Sequence, residues 1–262
     1  MKIHRFIDDF DLSKKELEIG GDIAHQIIKV LKLETGEKIE LCDGKETLAL
    51  GEIKEIGKKN VIVKISTPLH QDSAGQKNKK VTLFCSILKK ENFELVVQKA
   101  TEVGVCKIVP IISARTIKTG LNLERLNKIA KEASEQSGRI SVPEILEPIS
   151  FENALKAINK NDANILFDGS GEHSFEIHAY SPTGELLCSP RQSAQCISNE
   201  CSPNLEDKFS RTNIFIGPEG GWTEEEIKKA RSADFKIINL GNLTLRGETA
   251  AIISSYLAVN YK

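Results

Sequence analysis

The chain has 262 residues, of which 40% are hydrophobic and 28% charged, so it can bury a substantial core in one large or two modest domains. Its formal net charge of −1 does not indicate a nucleic-acid partner, although residues 71–150 hold more basic than acidic side chains. The N-terminus has no long apolar run, and the apolar run over 250–259 is too short to cross a bilayer. We therefore expect a cytoplasmic protein with no membrane association, whose six cysteines are reduced thiols.

Residues 1–70 are predicted to form a small, mostly antiparallel β-domain with one helix over about 22–30. Short runs rich in β-branched and apolar residues predict three strands, over 37–42, 47–53 and 61–65. Residues 71–80 are polar and nearly free of apolar side chains, so we predict a linker there.

From residue 81 to residue 262, strand patterns alternate with helical patterns, which predicts an α/β domain with a largely parallel sheet. The predicted strands cover 81–88, 107–112, 164–167, 213–216 and 237–240. Helices are predicted over 91–103, over 123–137, from Thr223 with Glu226 at capping-box spacing, and over 248–259. The last helix is apolar almost all round, which is typical of a helix in a core or at a subunit interface.

Residues 169–211 interrupt this pattern with a long polar insertion between two predicted strands. The insertion has no sustained periodicity, and loops of this length are normally functional or disordered. Its cysteines, Cys188, Cys196 and Cys201, match no standard zinc spacing. We therefore expect a mobile surface loop and no metal site.

Two predicted strands run directly into glycine-rich turns. Residues 213–216 lead into Gly217-Pro218-Glu219-Gly220-Gly221-Trp222, and residues 237–240 lead into Gly241 and then Leu245-Arg246-Gly247-Glu248-Thr249-Ala250. Open α/β sheets bind ligands at the carboxyl ends of their strands, and glycines let a ligand approach the main chain. Either turn alone could be an ordinary strand-to-helix connection. The pair, with its charged side chains, predicts a ligand site.

These motifs resemble a known family. IGPEGGWTEEEI (216–227) followed by LG (240–241) and LRGETA (245–250) is similar to the RsmE family of the SPOUT superfamily, the bacterial small-subunit rRNA uracil-N3 methyltransferases. The similarity extends to FELVVQKATEVGV (93–105), EQSGRISVPEI (135–145), HQIIKVLKLETGEKIELCDG (25–44) and HRF (4–6). It therefore covers most of the chain, with separated motifs in the family's order.

The resemblance implies a fold and an activity. The expected fold is a SPOUT-type, trefoil-knotted, parallel-sheet methyltransferase domain over 81–262, preceded by a small PUA-like RNA-binding β-barrel domain over 1–70. The expected activity is methylation of uridine N3 in 16S rRNA by S-adenosyl-L-methionine (SAM), giving 3-methyluridine, on the assembled 30S subunit. The implied partners are ribosomal RNA and a second copy of the chain.

The resemblance also assigns residues to roles. Cofactor binding falls to the two glycine turns and their flanks: Phe167, Ile216, Gly217, Pro218, Glu219, Gly220, Gly221, Leu240, Gly241, Leu245, Arg246, Thr249 and Ala250. The resemblance assigns RNA contact to basic residues in both parts of the chain: Arg5, Lys29, Lys32, Arg115, Arg125 and Arg139. The chain departs from the family pattern at two of these RNA-contact places, since Lys32 stands where Arg is more frequent and Ala114 stands where an acid usually precedes Arg115.

The catalytic assignments are Arg246 and Glu248. Arg246 suits a clamp on an RNA phosphate or on the uracil anion that develops during the reaction, and its alternative role is a salt bridge to Glu219 or Glu248. Either glutamate could hold a loop through backbone N–H groups, so the sequence does not identify the base that takes the N3 proton.

Two other functions remain open from the sequence. One is a non-catalytic RNA-binding or ribosome-assembly factor that retains the fold, which predicts erosion of the glycine turns. The other is a phosphate- or nucleotide-binding protein, which is weakened because the chain has no G-x-x-x-x-G-K-[ST] motif.

Overall fold

A computed structural model describes residues 3–45, 47–66, 69–70, 80–117, 119–171, 173–174 and 211–260. Most of the predicted linker at 71–80 and most of the insertion at 169–211, including its three cysteines, lie outside the described residues. By their internal contacts, the residues form two compact units. The first unit comprises Met1–Asn78, Lys90–Ile108 and Gly120–Glu147, and the second comprises Lys79–Lys89, Val109–Thr119 and Pro148–Lys262.

The first unit contains a six-stranded sheet. Its strands are β1 (His4–Ile7), β2 (Glu16–Ile19), β3 (Lys38–Cys42), β4 (Thr47–Ile56), β5 (Val61–Ile65) and β6 (Leu69–His70). Their order is β1-β3-β4-β5-β2, with β6 on β4, and every pair is antiparallel except β1 with β3. The three predicted strands and the mostly antiparallel pairing are therefore confirmed, whereas β1, β2 and β6 were not predicted.

Alternating side chains give this sheet its buried face. Ile39 and Leu41 of β3 are fully buried, as are Val61 and Val63 of β5, because every second residue of a strand points to the same side. The predicted helix is a short α-helix, α1 (Gly21–His25), that continues as a π-helical turn over Gln26–Leu31. The turn packs its buried Ile27 into the same core.

Two long helices also belong to the first unit: α2 (Lys90–Val103) and α3 (Leu123–Ser137). Asn122 begins α3, because its side chain accepts the Arg125 N–H at 3.0 Å. Gly138 ends α3 in the left-handed region, with φ 79°. The helix faces β1, where its Glu135 carboxylate accepts the Ile7 N–H at 2.9 Å.

Glu135 makes the stability of this contact depend on pH. Burial raises the pKa of the Glu135 carboxyl above its usual value. The folded state therefore binds a proton more tightly than the unfolded state, so this contribution to stability is present at low pH and is lost as pH rises through the folded pKa. We expect Glu135→Gln, which keeps an acceptor for Ile7, to remove this pH dependence. Thermal unfolding of both proteins between pH 4 and 8 would show it, and parallel pH profiles would contradict it.

The second unit is built on a parallel sheet. Its strands are β7 (Lys80–Ser86), the last four residues of β8 (Lys107–Ile112), β10 (Ile149–Ser150), β11 (Ala163–Phe167), β12 (His173–Ser174), β13 (Arg211–Ile216) and β14 (Lys236–Asn239). The first two residues of β8 and the strand β9 (Glu144–Ile145) belong to the first unit. The order of the strands is β10-β8-β7-β13-β11-β14-β12, with β9 paired to the first two residues of β8. The pairs of β10 and β9 with β8, of β13 with β7 and β11, and of β14 with β11 and β12 are parallel. The predicted α/β class with a parallel sheet is confirmed, and strand ends differ from the predicted ones by one or two residues.

Three helices accompany this sheet: α4 (Phe151–Ala157), α5 (Glu224–Ser232) and α6 (Gly247–Asn260). A cluster of aromatic rings packs beside the central strands. Phe215 stacks on Phe84 with centroids 4.3 Å apart and meets Phe235 edge-on at 4.9 Å. Phe151 lies 6.4 Å from Phe215 and 5.1 Å from Trp222. The core of the sheet thus extends to the tryptophan of the first glycine turn.

No helix in the described part of the chain is long and apolar enough to cross a membrane. Within the same residues, no group of three or more His, Cys, Asp and Glu side chains is placed to hold a metal ion.

Candidate functional site

Four neighbouring strands of the second unit end at one edge of the sheet. The register pairs Cys85 of β7 with Ile216 of β13. It also pairs Phe167 of β11 with both Ile216 and Ile238 of β14. Because these strands are parallel, the segments that follow them emerge side by side at their carboxyl ends. Both predicted glycine turns are among these segments.

The first glycine loop begins at Gly217 and ends at Trp222. Gly221 adopts φ 69°, which glycine tolerates without strain, and donates its N–H to the Pro218 carbonyl at 2.8 Å. The Trp222 indole donates from Nε1 to the Phe167 carbonyl at 3.1 Å. A Cβ on Gly217 would lie 3.1 Å from the indole ring, so a larger residue fits only if the ring shifts by a few tenths of an ångström. The loop is therefore fixed to the end of β11.

Glu219 fixes the same loop to the end of β7. Its Oε1 accepts the Lys89 N–H at 3.2 Å. This is one of the two roles that the sequence left open for Glu219. Burial, reinforced by the charge of Glu219, raises the pKa of the nearby Cys85 thiol, so this cysteine stays protonated and is not a nucleophile at neutral pH.

The second glycine loop begins at Leu240 and ends at Arg246. Asn239, the last residue of β14, accepts the Gly241 N–H at 2.9 Å through Oδ1. Its Nδ2 donates to the Gly169 carbonyl at 3.1 Å, in the segment after β11. Gly241 has φ 134°, a conformation that side chains rarely adopt. One asparagine therefore bonds the segments that follow two adjacent strands.

Gly247 brings the end of the second loop against the first. A Cβ on Gly247 would lie 2.9 Å from Cδ2 of the buried Leu88 and 3.6 Å from the Gly217 carbonyl oxygen. The start of α6 therefore lies directly beside the first glycine loop. On either side of Gly247, Arg246 is exposed and Glu248 is 9% exposed.

The other predicted cofactor residues lie at the same edge of the second unit. Phe167, Ile216 and Pro218 are buried, whereas Leu240 and Leu245 are half-buried. Thr249 and Ala250 are half-buried in the first turn of α6, and the Ala250 N–H donates to the Arg246 carbonyl at 2.9 Å. Their roles in cofactor binding stay predictions.

Arg5 and Arg125, two predicted RNA contacts in the first unit, are engaged in bonds within that unit. Arg5 pairs with Glu40 at 2.7 Å and also donates to the Gly138 carbonyl. Arg125 forms a bidentate pair with Glu94, with N–O distances of 2.6 and 2.8 Å. The hydrogen bonds to Glu94 raise the pKa of Arg125 above its ordinary value.

Arg139, in the same unit, is hydrogen-bonded to main-chain carbonyls. Its Nη1 donates to the carbonyls of Thr101 at 2.7 Å and Val105 at 2.8 Å, and burial lowers the pKa of its guanidinium. Lys29 lies in the π-helical turn and Lys32 follows it with φ 52°, and both are exposed. These two lysines are the predicted RNA contacts of the first unit whose charges are most accessible to a phosphate.

Arg115 is the predicted RNA contact that lies in the second unit. It follows β8, and its Nη1 donates to the carbonyls of Gly220 at 2.6 Å and Trp222 at 3.2 Å. This contact could not be predicted from the sequence, because Arg115 and Gly220 are 105 positions apart in the chain.

Comparisons with known proteins identify the class. The RNA methyltransferase domain model matches residues 75–258, and the RNA methyltransferase PUA domain model matches residues 19–66. The Neisseria gonorrhoeae ribosomal RNA small subunit methyltransferase E, crystallised with SAM, superposes with a TM-score of 0.79 at 25% identity, covering 97% of this chain and 95% of that one. The fold is that of an RNA methyltransferase with an N-terminal PUA-like domain.

Sequence relatives narrow this class to one family. The ribosomal RNA small subunit methyltransferase E of Rickettsia conorii is 31% identical over 255 residues, covering 96% of this chain and 93% of the relative. The Bacillus subtilis protein of the same name is 27% identical over 264 residues, covering 96% and 94%. The chain belongs to the ribosomal RNA small subunit methyltransferase E family, which confirms the family resemblance of its motifs.

Proposed function

We propose that the protein transfers a methyl group from SAM to N3 of a uridine in small-subunit ribosomal RNA, giving 3-methyluridine, with the assembled small subunit as substrate. Its membership of the methyltransferase E family supports an rRNA methyltransferase that uses SAM. The observation that carries the proposal is the contact between the two glycine loops at the carboxyl edge of the sheet, where Gly247 lies against Leu88 and the Gly217 carbonyl.

The chemistry of this edge fits SAM. Gly221 and Gly241 each have open space where a side chain would stand, so a ligand can reach their main-chain groups. Ile238, Leu240 and Leu245 are apolar and half-buried nearby in the chain, at the end of β14 and in the loop after it. Main-chain donors and acceptors suit the adenine and ribose, and an apolar wall suits the aliphatic methionine arm.

Bound SAM supplies an electrophilic methyl group on a sulfonium. The chain's own residues have to orient the uracil and stabilise the negative charge that develops as N3 loses its proton. Arg246 is exposed at the start of the 14-residue helix α6, so its guanidinium and the positive end of the helix dipole favour an anion at the same place. We assign the charge stabilisation to Arg246. Glu248, directly after the first residue of α6, is our second catalytic candidate.

The proposal also covers the oligomeric state, the location and the domain division of the enzyme. We infer a homodimer, supported by the exposed Ile253 and Tyr256 of α6, which are 38% and 51% exposed on a largely apolar helix. We also infer a cytoplasmic location, because the relatives are named for a ribosomal substrate. The division into an RNA-binding domain over 1–70, a linker over 71–80 and a catalytic domain over 81–262 is supported by the two family models.

Two measurements test the proposal. We expect calorimetry of the full-length protein to show one SAM site per chain. We also expect purified protein to methylate small subunits that lack the modification, with 3-methyluridine detected by mass spectrometry of nucleosides. SAM binding without transfer would favour the non-catalytic RNA-binding factor, and absence of SAM binding would show that the glycine loops serve another ligand.

A further inference from the structure

The turn that follows β8 holds the first glycine loop by its main chain. Arg115 Nη1 donates to two carbonyls of the loop, those of Gly220 and Trp222, at 2.6 and 3.2 Å. The stem of the arginine packs on the loop as well, because a Cβ on Gly220 would lie 3.3 Å from Cδ and 3.4 Å from Cβ of Arg115. Arginine therefore contacts the loop through both its charge and its aliphatic part.

A carboxylate also connects the turn after β8 to the end of the first glycine loop. Glu226 accepts the Ala114 N–H at 2.8 Å and the Thr223 N–H at 2.9 Å. Glu226 is 4% exposed, so its carboxylate is a largely buried acceptor for both N–H groups. Ala114, the residue before Arg115, and Thr223, the residue after the loop, are thus hydrogen-bonded to the same carboxylate.

The turn is itself anchored to two strands. Thr116 Oγ1 accepts the Ser113 N–H at 2.9 Å and lies 2.8 Å from Ser113 Oγ. Ser86 Oγ, at the end of β7, donates to Ser113 Oγ at 3.2 Å. Ser86 and Ser113 are 0% and 5% exposed. Arg115 therefore projects from a fixed base, which is what a side chain needs in order to position a neighbouring loop.

We propose that Arg115 is a positioning residue that holds the first glycine loop in its ligand-binding conformation. Gly220 and Gly221 give this loop more conformational freedom than other residues would, so a bond that orders the loop before binding increases affinity for its ligand. This inference rests on the proposed function, in which the ligand of the loop is SAM. It differs from the RNA contact that the family resemblance assigns to Arg115.

The first test compares substitutions at Arg115. Hydrogen bonds from a charged donor are strong enough that we expect Arg115→Ala to raise the Kd for SAM about 10-fold. At saturating SAM, kcat should stay within about 2-fold, because the residue acts on ground-state binding. Arg115→Lys should recover part of the affinity, since an ammonium can donate to one of the two carbonyls.

Arg125 provides the matched control. It too was predicted to contact RNA, but its guanidinium is bound to Glu94 in the first unit. We expect Arg125→Ala to leave the Kd for SAM unchanged. Equal weakening of SAM binding by both alanine variants would overturn the assignment, because the effect would then be general to the loss of a surface charge.

Trp222 reports on the loop without any ligand. It is the only tryptophan of the chain and is 4% exposed, and its carbonyl is one of the two that Arg115 bonds. In the absence of SAM, we expect Arg115→Ala to shift the emission of Trp222 to longer wavelength. We also expect acrylamide quenching of Trp222 to rise at least about 2-fold, because a less ordered loop exposes the indole ring to solvent. If this variant does not fold by circular dichroism, Arg115→Lys, expected to show a smaller change in the same direction, decides the question.

The combined outcomes separate the two proposals. Increased quenching together with weaker SAM binding supports both. Increased quenching in a protein whose wild type binds no SAM supports the positioning role and overturns the proposed cofactor. Unchanged quenching and unchanged SAM affinity overturn the positioning role, and a loss of affinity for small subunits alone would then assign Arg115 to RNA.

Discussion

Replacing Arg246 with alanine is expected to lower kcat/KM for rRNA methylation by at least about 100-fold, which is the usual cost of removing a group that stabilises charge in a transition state. The side chain is exposed at the start of α6, so its removal should leave Tm nearly unchanged. Methyl transfer to small subunits, measured at saturating SAM and in parallel with thermal unfolding, would check both parts of this prediction.

Arg211 offers a control at the opposite end of the same sheet. It is an exposed arginine in the first position of β13, whereas the glycine loop follows the last position of that strand. We expect Arg211→Ala to keep full activity. If Arg246→Ala retained activity within a few-fold, Arg246 would be structural, and the charge on the uracil would have to be stabilised by another group.

Much of the fold follows from local patterns in the sequence. The helix α3 was predicted with both ends correct, because its apolar residues recur at helical spacing and glycine follows its last turn. The capping box of α5 was also predicted, and Thr223 and Glu226 form both of its bonds. Long elements with strong periodicity and clear caps are those that a sequence defines well.

Short elements were missed for a physical reason. The helix α4 has seven residues, of which Phe151 and Ala154 are buried, so it is too short to show a helical period. The strand β1 has four residues and pairs in parallel with β3, a partner more than thirty residues later in the chain. Such elements are stabilised by their tertiary partners and carry little signal of their own.

The candidate site, like the fold, could be predicted from the sequence only in part. Both glycine loops could be predicted, because a glycine directly after a strand indicates a tight turn or a close approach to the main chain. The sequence could not identify what holds them, since the bonds from Arg115 and Lys89 to the first loop join residues more than 100 positions apart. The motif also does not show why position 247 is a glycine, whereas the structure places Leu88 where a side chain at that position would be. Residue type suggests the chemistry of the site, and tertiary contacts decide which atoms remain available for it.

The second large effect is expected at Glu226. Alanine at this position should lower the free energy of unfolding by about 3 kcal/mol, which combines the loss of a helix cap with three donors left without their buried, charged acceptor. Those donors are the N–H groups of Ala114 and Thr223 and the hydroxyl of Thr223. For a chain of this size we expect Tm to fall by roughly 6 to 12 °C. The Kd for SAM should rise as well, because the first glycine loop ends at the residue before Thr223.

Glu225 and Thr223 separate the causes of that effect. Glu225 lies in the same first turn of α5 but is exposed, so Glu225→Ala should cost about 0.5 kcal/mol through the helix dipole alone. Thr223→Ala removes the N-cap hydroxyl and leaves the bond from Ala114 to Glu226 intact, so we expect a loss of about 1 kcal/mol. If Glu226→Ala were no worse than Thr223→Ala, the carboxylate would act only as a helix cap. The bond between the turn after β8 and the end of the first glycine loop would then contribute nothing to stability, and Arg115 alone would connect them.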